Sequence, residues 1–355
     1  MDWAQLDVNP KVVAAVRRAN IQSIKEILCL SGSDLQRLTK LSSSDVRYLH
    51  KTVAAVVKSD PVVTALQMYN GECPFPTQNR KLSMGCPVLD LLLGGGIPLM
   101  GITEIVGESS AGKTQICMQL CLSVQFPSSY GGQDAGAVYV CTEDTFPNKR
   151  LQQLIAFQSM LRADVPADIV NNIKFGNNIF IEHVADVDSL NHCISKRLPI
   201  LLSRGLIRLV VIDSVAALFR CEFGASDSIA KAKCLQKFGA MLHQLSHRFS
   251  SPIICVNQIA DAISGSSLAQ SNFGLLDKVL PALGLTWSNQ LLMRLMVSRT
   301  QFCAEGKFPD DKVRALNSGT VLRRMEIIFA PHLPQSFCNY IICKEGVRGM
   351  KETGI

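Results

Sequence analysis

Residues Gly107-Glu108-Ser109-Ser110-Ala111-Gly112-Lys113-Thr114 fit the spacing G-x-x-x-x-G-K-[ST]. Few eight-residue patterns restrict a chain so tightly, because the pattern works only between a strand and a helix. Both flanks comply. Ile102-Thr103-Glu104-Ile105-Val106 has the alternation of a strand, and the apolar run from Gln115 to Val124 reads as a helix. Glycines let the backbone wrap closely around a phosphate with its N–H groups pointing inward, and the helix N-terminus adds partial positive charge. In such a loop Lys113 reaches the outer phosphates, and the Thr114 hydroxyl is a ligand for Mg²⁺.

The 355 residues leave room for a large domain and a small one. With 47% hydrophobic and 18% charged residues the chain suits a buried core and not disorder. It contains no run of about 18 apolar residues, so no membrane span and no membrane partner is expected. Met1-Asp2-Trp3-Ala4 lacks the basic-then-apolar layout of a signal peptide. The 13 cysteines form no C-x-x-C pair and sit in apolar runs, which points to reduced thiols in an intracellular protein. A net charge of +7 is compatible with nucleic acid without requiring it.

Val12, Val13, Val16, Ile21, Ile24, Ile27 and Leu28 recur at helical spacing. Ser33-Asp34 looks like a cap before Leu35 and Leu38, and Ser42 to Ser44 like a cap for a longer helix. A small all-α domain follows over 1–58. Leu41-Ser42-Ser43-Ser44 stands where a helix-hairpin-helix presents backbone to phosphate, without the usual glycine, so DNA binding and protein docking both stay open. Pro61, Gly71, Pro74 and Pro76 mark a linker over 59–80. Within it, Val62-Val63-Thr64-Ala65-Leu66 is β-prone; it either adds a strand to a neighbour's sheet or packs on its own domain.

The remainder, 81–348 with a short tail at 349–355, reads as an α/β core with a mostly parallel sheet. Strands are expected over 137–142, 178–184, 207–212, 252–256 and 319–330, with polar residues at their C-terminal ends, where open α/β sheets bind ligands. Asp213 follows four apolar residues and suits Mg²⁺, directly or through water. Glu143 is the candidate general base for orienting water; Asp144 beside it is the weaker candidate. Gln258 is either a sensor of the terminal phosphate or a buried structural amide. The segments 220–232 and 259–281 read as loops on the ligand side, thinly basic, where a polymer could meet the sheet. His243 and His247 lack the glutamate of a metalloprotease helix and are read as surface residues.

Taken together, Gly101-Ile102-Thr103-Glu104, Gly107 to Gln115, Tyr139 to Phe146, Leu209 to Ser214 and Val256-Asn257-Gln258 resemble the RecA-family recombinases in order and content. The small helical domain and linker resemble the eukaryotic Rad51 branch, and further stretches are similar to its repair paralogues. The resemblance implies a RecA-like P-loop ATPase core and a role in homologous-recombination repair of double-strand breaks. It implies ATP and Mg²⁺ held by Gly107, Glu108, Ser109, Ser110, Ala111, Gly112, Lys113, Thr114 and Gln115. It makes Glu143 the catalytic glutamate, Asp213 the Walker B carboxylate, Gln258 the switch and Arg150 an adenine-stacking residue. It implies a heterodimer with a sister recombinase paralogue, the C paralogue, through Val62 to Ala65. It also implies contact with single-stranded or branched DNA and with the main recombinase, and a nuclear protein with room for a cytoplasmic pool.

Three departures stand against full recombinase activity. Val62 replaces a phenylalanine, Phe329-Ala330 replaces an Asp-Ser pair that closes over a neighbour's ATP, and Ser226-Asp227-Ser228 lacks an arginine of the first DNA loop. Two functions are therefore carried forward: a weak DNA-dependent ATPase that loads or remodels recombinase, and an assembly subunit that keeps ATP as a structural ligand. A RecA-like motor is the third.

Overall fold

The structure, a computed structural model, describes residues 8–19, 21, 24–56, 64–70, 72, 80–143, 145–261, 279–303 and 321–350. The chain divides into two compact units, Met1–Gln78 and Asn79–Ile355.

In the first unit, helices Pro10–Arg18, Ile24–Cys29, Gly32–Thr39 and Ser43–Val56 enclose Val12, Val16, Ile21, Ile27, Leu35, Val46, Leu49 and Val53. All but Ile21, which lies between the first two helices, belong to the apolar stripe of a helix buried against the others. Capping sets the helix starts. Ser42 Oγ accepts from Asp45 N at 3.1 Å, as expected for the serine run. The cap of the preceding helix is Ser31, not Ser33-Asp34: Ser31 Oγ accepts from Asp34 N at 3.1 Å, which places Ser33 and Asp34 inside the helix. Lys40 closes that helix in the left-handed region, φ 56°, a position that favours glycine.

The β-prone reading of 62–66 holds only in part. Thr64 is extended, φ −80° and ψ 157°, but its hydroxyl caps a short helix, Ala65–Tyr69, through a reciprocal capping box with Gln67. Ala65 and Leu66 are therefore helical. Val62 and Val63 lie outside the described residues.

The second unit is built on strands β1 (Lys81–Leu82), β2 (Ile97–Pro98), β3 (Ile102–Gly107), β4 (Gly136–Cys141), β5 (Ile179–His183) and β6 (Ile207–Asp213). Strands β7 (Ile253–Asp261), β8 (Val279–Pro281), β9 (Met293–Cys303), β10 (Val321–Phe329), β11 (Phe337–Ile342) and β12 (Val347–Gly349) follow. Among the described residues ten of these form one sheet in the order β12-β11-β10-β9-β3-β7-β6-β4-β5, with β8 beside β7. The pairings from β5 to β9 along this path are parallel, and those from β9 to β12 antiparallel.

Both faces of the parallel part are covered, which is why β3 and β4 are buried at every residue and read as continuous apolar runs. Alternate residues feed separate cores. Ile105, Tyr139, Val211 and Ile254 pack with the helix Lys113–Ser123; Ile102, Val140, Ile212 and Cys255 pack with the helices Val215–Cys221 and Ser228–Phe249. The helix Lys113–Ser123 is buried from Ile116 through Ser123, so it shows no polar face.

The segment read as a loop over 220–232 is mostly helical. Arg220 lies in the last turn of the helix Val215–Cys221, Ala225–Asp227 is a 3-10 turn, and Ser228 opens a 22-residue helix. Of 259–281, the two ends extend the sheet: Ile259 to Asp261 pair antiparallel with Val279 to Pro281. Residues 262–278 lie outside the described residues.

Candidate nucleotide site

The phosphate loop leaves β3 at Gly107 and enters its helix at Lys113. Close approach to backbone requires glycine at 107, and a positive φ requires it at 112. A Cβ on Gly107 would lie 2.0 Å from the carbonyl oxygen of Val297, and one on Gly112, φ 107°, would lie 2.5 Å from Ile342 Cδ1. The loop crown is braced by three later strands. Tyr340 OH donates to Ala111 O at 2.7 Å, Arg323 Nε to Ser110 O at 3.4 Å, and Arg299 N to Glu108 Oε1 at 2.6 Å.

Lys113 Nζ donates to the carbonyls of Gly107 and Glu108, both at 2.8 Å, and so folds back over the loop. Burial lowers its pKa below the usual lysine value, and the negative charges of Asp213 and Glu143 oppose that shift. A lysine kept beside desolvating backbone and given no carboxylate of its own within salt-bridge distance, among the described residues, is poised for an anionic ligand.

Asp213 ends β6 opposite Cys141 of β4. Its Oδ2 accepts from Thr114 Oγ1 at 2.8 Å and from Tyr139 OH at 2.5 Å. A hydroxyl and a carboxylate side by side make a hard-oxygen set that fits Mg²⁺. Burial, then the Asp213 charge, push the Tyr139 phenol well above its usual pKa, so it remains a donor.

Glu143, exposed just past β4, meets two donors at Oε1: Ser214 Oγ at 2.9 Å and Gln258 Nε2 at 2.5 Å. Gln258 is in turn held by Arg220, whose Nη1 donates to Gln258 Oε1 at 2.9 Å. Gln258 is half-buried on the cavity wall and not a fully buried amide. Asp144 lies outside the described residues.

A cavity of about 690 Å³ brings these groups together; Lys113, Thr114, Asp213, Glu143, Gln258 and Arg150 all line it. Its size lies within the range that receives small-molecule ligands. Arg150 stands on one wall, donating from Nε to Gln115 Oε1 at 2.8 Å, from Nη2 to Cys343 O at 2.6 Å and from Nη1 to Lys344 O at 3.0 Å, and also to Gln153. These bonds use the edge of the guanidinium and leave its plane available for stacking.

Of the site residues proposed from the sequence, Glu108 and Ala111 belong to the loop but do not line the cavity, and the other described ones are brought together around it. Tyr139, Ser214, Arg220 and Arg323 were not foreseen. Tyr139 carried a signal, since it lies two residues before Cys141 on the same face of β4. The other three depend on tertiary contacts. Of the two histidines read as surface residues, His247 is exposed on its helix, whereas His243 is half-buried and bonds Gln290 O at 2.8 Å. Ten cysteines among the described residues are thiols in no disulfide.

The sequence profile of the Rad51 family matches residues 78–298, and that of the XRCC3/RpoA-like helix-hairpin-helix domain matches residues 3–57. The mouse (Mus musculus) DNA repair protein XRCC3 is 52% identical over 354 residues, covering 99% of each chain. The Arabidopsis thaliana DNA repair protein XRCC3 homolog is 35% identical over 285 residues, covering 76% of this chain and 93% of its own. The Schizosaccharomyces pombe DNA repair protein rhp57 is 30% identical over 351 residues, covering 92% of each. With the phosphate loop, the parallel sheet and the helical N-terminal unit in place, these matches show that the chain belongs to the Rad51 family.

Proposed function

We propose that this chain is an ATP-binding recombinase paralogue of homologous-recombination repair, acting in the nucleus on DNA with other members of its family. The single observation that carries the reading is the convergence of Lys113, Thr114, Asp213, Glu143 and Gln258 on one cavity. Lys113 and the loop N–H groups bind the phosphates, and Thr114 with Asp213 would hold Mg²⁺, which when bound neutralises phosphate charge. Glu143 then orients water at the terminal phosphate through its second oxygen, Oε1 being occupied by Ser214 and Gln258. Gln258, sharing Glu143 with that phosphate, reports which nucleotide is present to the strand beyond it. Arg150 offers its plane to adenine.

The partner proposed is a sister paralogue, the C paralogue, engaged through Val62 to Ala65. Thr64 is extended and Ala65 opens a helix, so strand-like docking by Ala65 would require that helix to unwind.

A second reading is favoured by one observation. Glu143 is already engaged by two protein donors, and Phe329, at the place of the acidic cap, lies under the Arg294 guanidinium of its own chain at 5.3 Å. Both fit an assembly subunit that keeps ATP as a structural ligand. Complementation of repair-deficient cells separates the two. Under the ATPase reading both Lys113→Ala and Glu143→Gln fail to restore repair; survival of Glu143→Gln alone selects the structural ligand. Restoration by Lys113→Ala would refute both.

A further inference from the structure

Glu104 sits inside the sheet, three residues before the phosphate loop, and is fully buried. Its carboxylate accepts from three elements. Asn257 Nδ2 on β7 reaches Oε1 at 2.7 Å, Trp287 Nε1 on the helix Gly284–Ser288 reaches Oε1 at 2.6 Å, and Arg294 on β9 pairs with Oε2. Asn257 and Trp287 are also fully buried. The chain of bonds continues: Asn257 Oδ1 accepts from Gln258 N at 2.8 Å, and the Gln258 side chain reaches Glu143.

We propose that Glu104 is a positioning residue that fixes Gln258 through Asn257. The argument is one of polarity. An ionised carboxylate can only accept, while an asparagine amide has one accepting and one donating end. Asn257 must therefore turn its NH₂ toward Glu104, which leaves its oxygen for the Gln258 N–H. Trp287 and Arg294 are donors only, so they reinforce the same polarity. Stability alone does not explain the arrangement, because apolar residues often replace a buried ion pair at no loss. The inference rests on the nucleotide reading of the cavity and gives Glu104 and Asn257 a role that their motif stretches alone do not assign. Its consequence is that discrimination of a third phosphate by Gln258 depends on a carboxylate that touches no ligand.

The test is equilibrium binding of fluorescent ATP and ADP analogues, with Mg²⁺, to the full chain and its variants. The wild-type chain should prefer the triphosphate. In Glu104→Gln the amide of Asn257 is free to turn over, and the preference should shrink about fivefold, the worth of one hydrogen bond. Affinity for the diphosphate should stay within about twofold, since the partners of Glu104 are Asn257, Trp287 and Arg294 and the loop contacts are left intact. Asn257→Ser leaves the ion pair in place and should give the same loss, even where Glu104→Gln folds poorly. Arg294→Lys keeps an accepting carboxylate, so it should lower the melting temperature and leave the preference alone. An unchanged preference in Asn257→Ser, an equal shift in Arg294→Lys, or a wild-type chain indifferent to the third phosphate overturns the proposal. Lys113→Ala, run alongside, reports on the site itself: if it binds both nucleotides as well as wild type, the nucleotide reading fails instead.

Discussion

Asp213 Oδ2 accepts from both Thr114 and Tyr139, and the two donors differ in what they can give up. The Thr114 hydroxyl is on the phosphate side and can exchange Asp213 for a metal. The Tyr139 hydroxyl, buried against the sheet, holds the carboxylate still. Removing it in Tyr139→Phe should cost about 1.5–3 kcal/mol in urea unfolding, the range for a hydrogen bond to a charged group. The pH dependence has a definite sign. The folded phenol keeps its proton above the usual tyrosine value of 10.0, where the unfolded chain releases it. The unfolded state then binds fewer protons, so stability is fully present below that value and falls as pH rises past it. Melting curves above pH 10 should fall less steeply for Tyr139→Phe than for wild type. Lys113 behaves oppositely, because burial lowers its pKa and its charge is a cost to the free protein. Lys113→Met should therefore leave the nucleotide-free melting temperature unchanged or raise it, while abolishing nucleotide binding. A large fall in that temperature would show that the lysine is structural.

At the scale of elements, the phosphate loop is held by strands it does not touch in sequence. Val297 on β9, Tyr340 on β11 and Arg323 on β10 close over Gly107, Ala111 and Ser110. Gly107→Ala places its methyl against backbone, where no rotamer can yield, and should cost more than about 3 kcal/mol by the usual scale for severe core strain. Circular dichroism melting of that variant is the check. In the N-terminal unit, Ser31→Ala should cost about 1 kcal/mol and Ser33→Ala much less, as follows from the cap that forms. These contrasts also mark what was legible. β3, β4, β6 and the start of β7 are buried on both faces and announce themselves as apolar runs. β10 runs partly along the surface, and Arg323 and Arg324 interrupt its pattern, so only its position and not its partners could be read. β11 and β12 are short, and their role in bracing the loop exists only in the folded sheet. The segment 220–232 has the composition of a loop because Ser226, Asp227 and Ser228 are turn-favouring residues, yet it is mostly helical. Here they do local capping: Asp227 Oδ2 accepts from Gly224 N at 3.1 Å, just before the helix Ser228–Phe249. The motif residues of the site were legible because their chemistry is spelled by spacing; Arg220 was not, since its partner Gln258 lies 38 residues away.

For the whole molecule, the two units carry different parts of the function. The larger one carries the residues proposed to face the nucleotide, and the smaller one includes the proposed docking segment. Replacing Val62 to Ala65 with a Gly/Ser stretch should release the sister paralogue in a pull-down while ATP binding persists; full retention would refute docking there. The central claim is that Glu143 and Gln258 act on ATP held by Lys113 and Thr114. It is tested most directly by ATP turnover of the purified chain with its sister paralogue, with and without single-stranded DNA, compared with Glu143→Gln. The account predicts slow turnover that DNA stimulates and Glu143→Gln removes. Tight ATP binding with no turnover dependent on Glu143 in any mixture would contradict it.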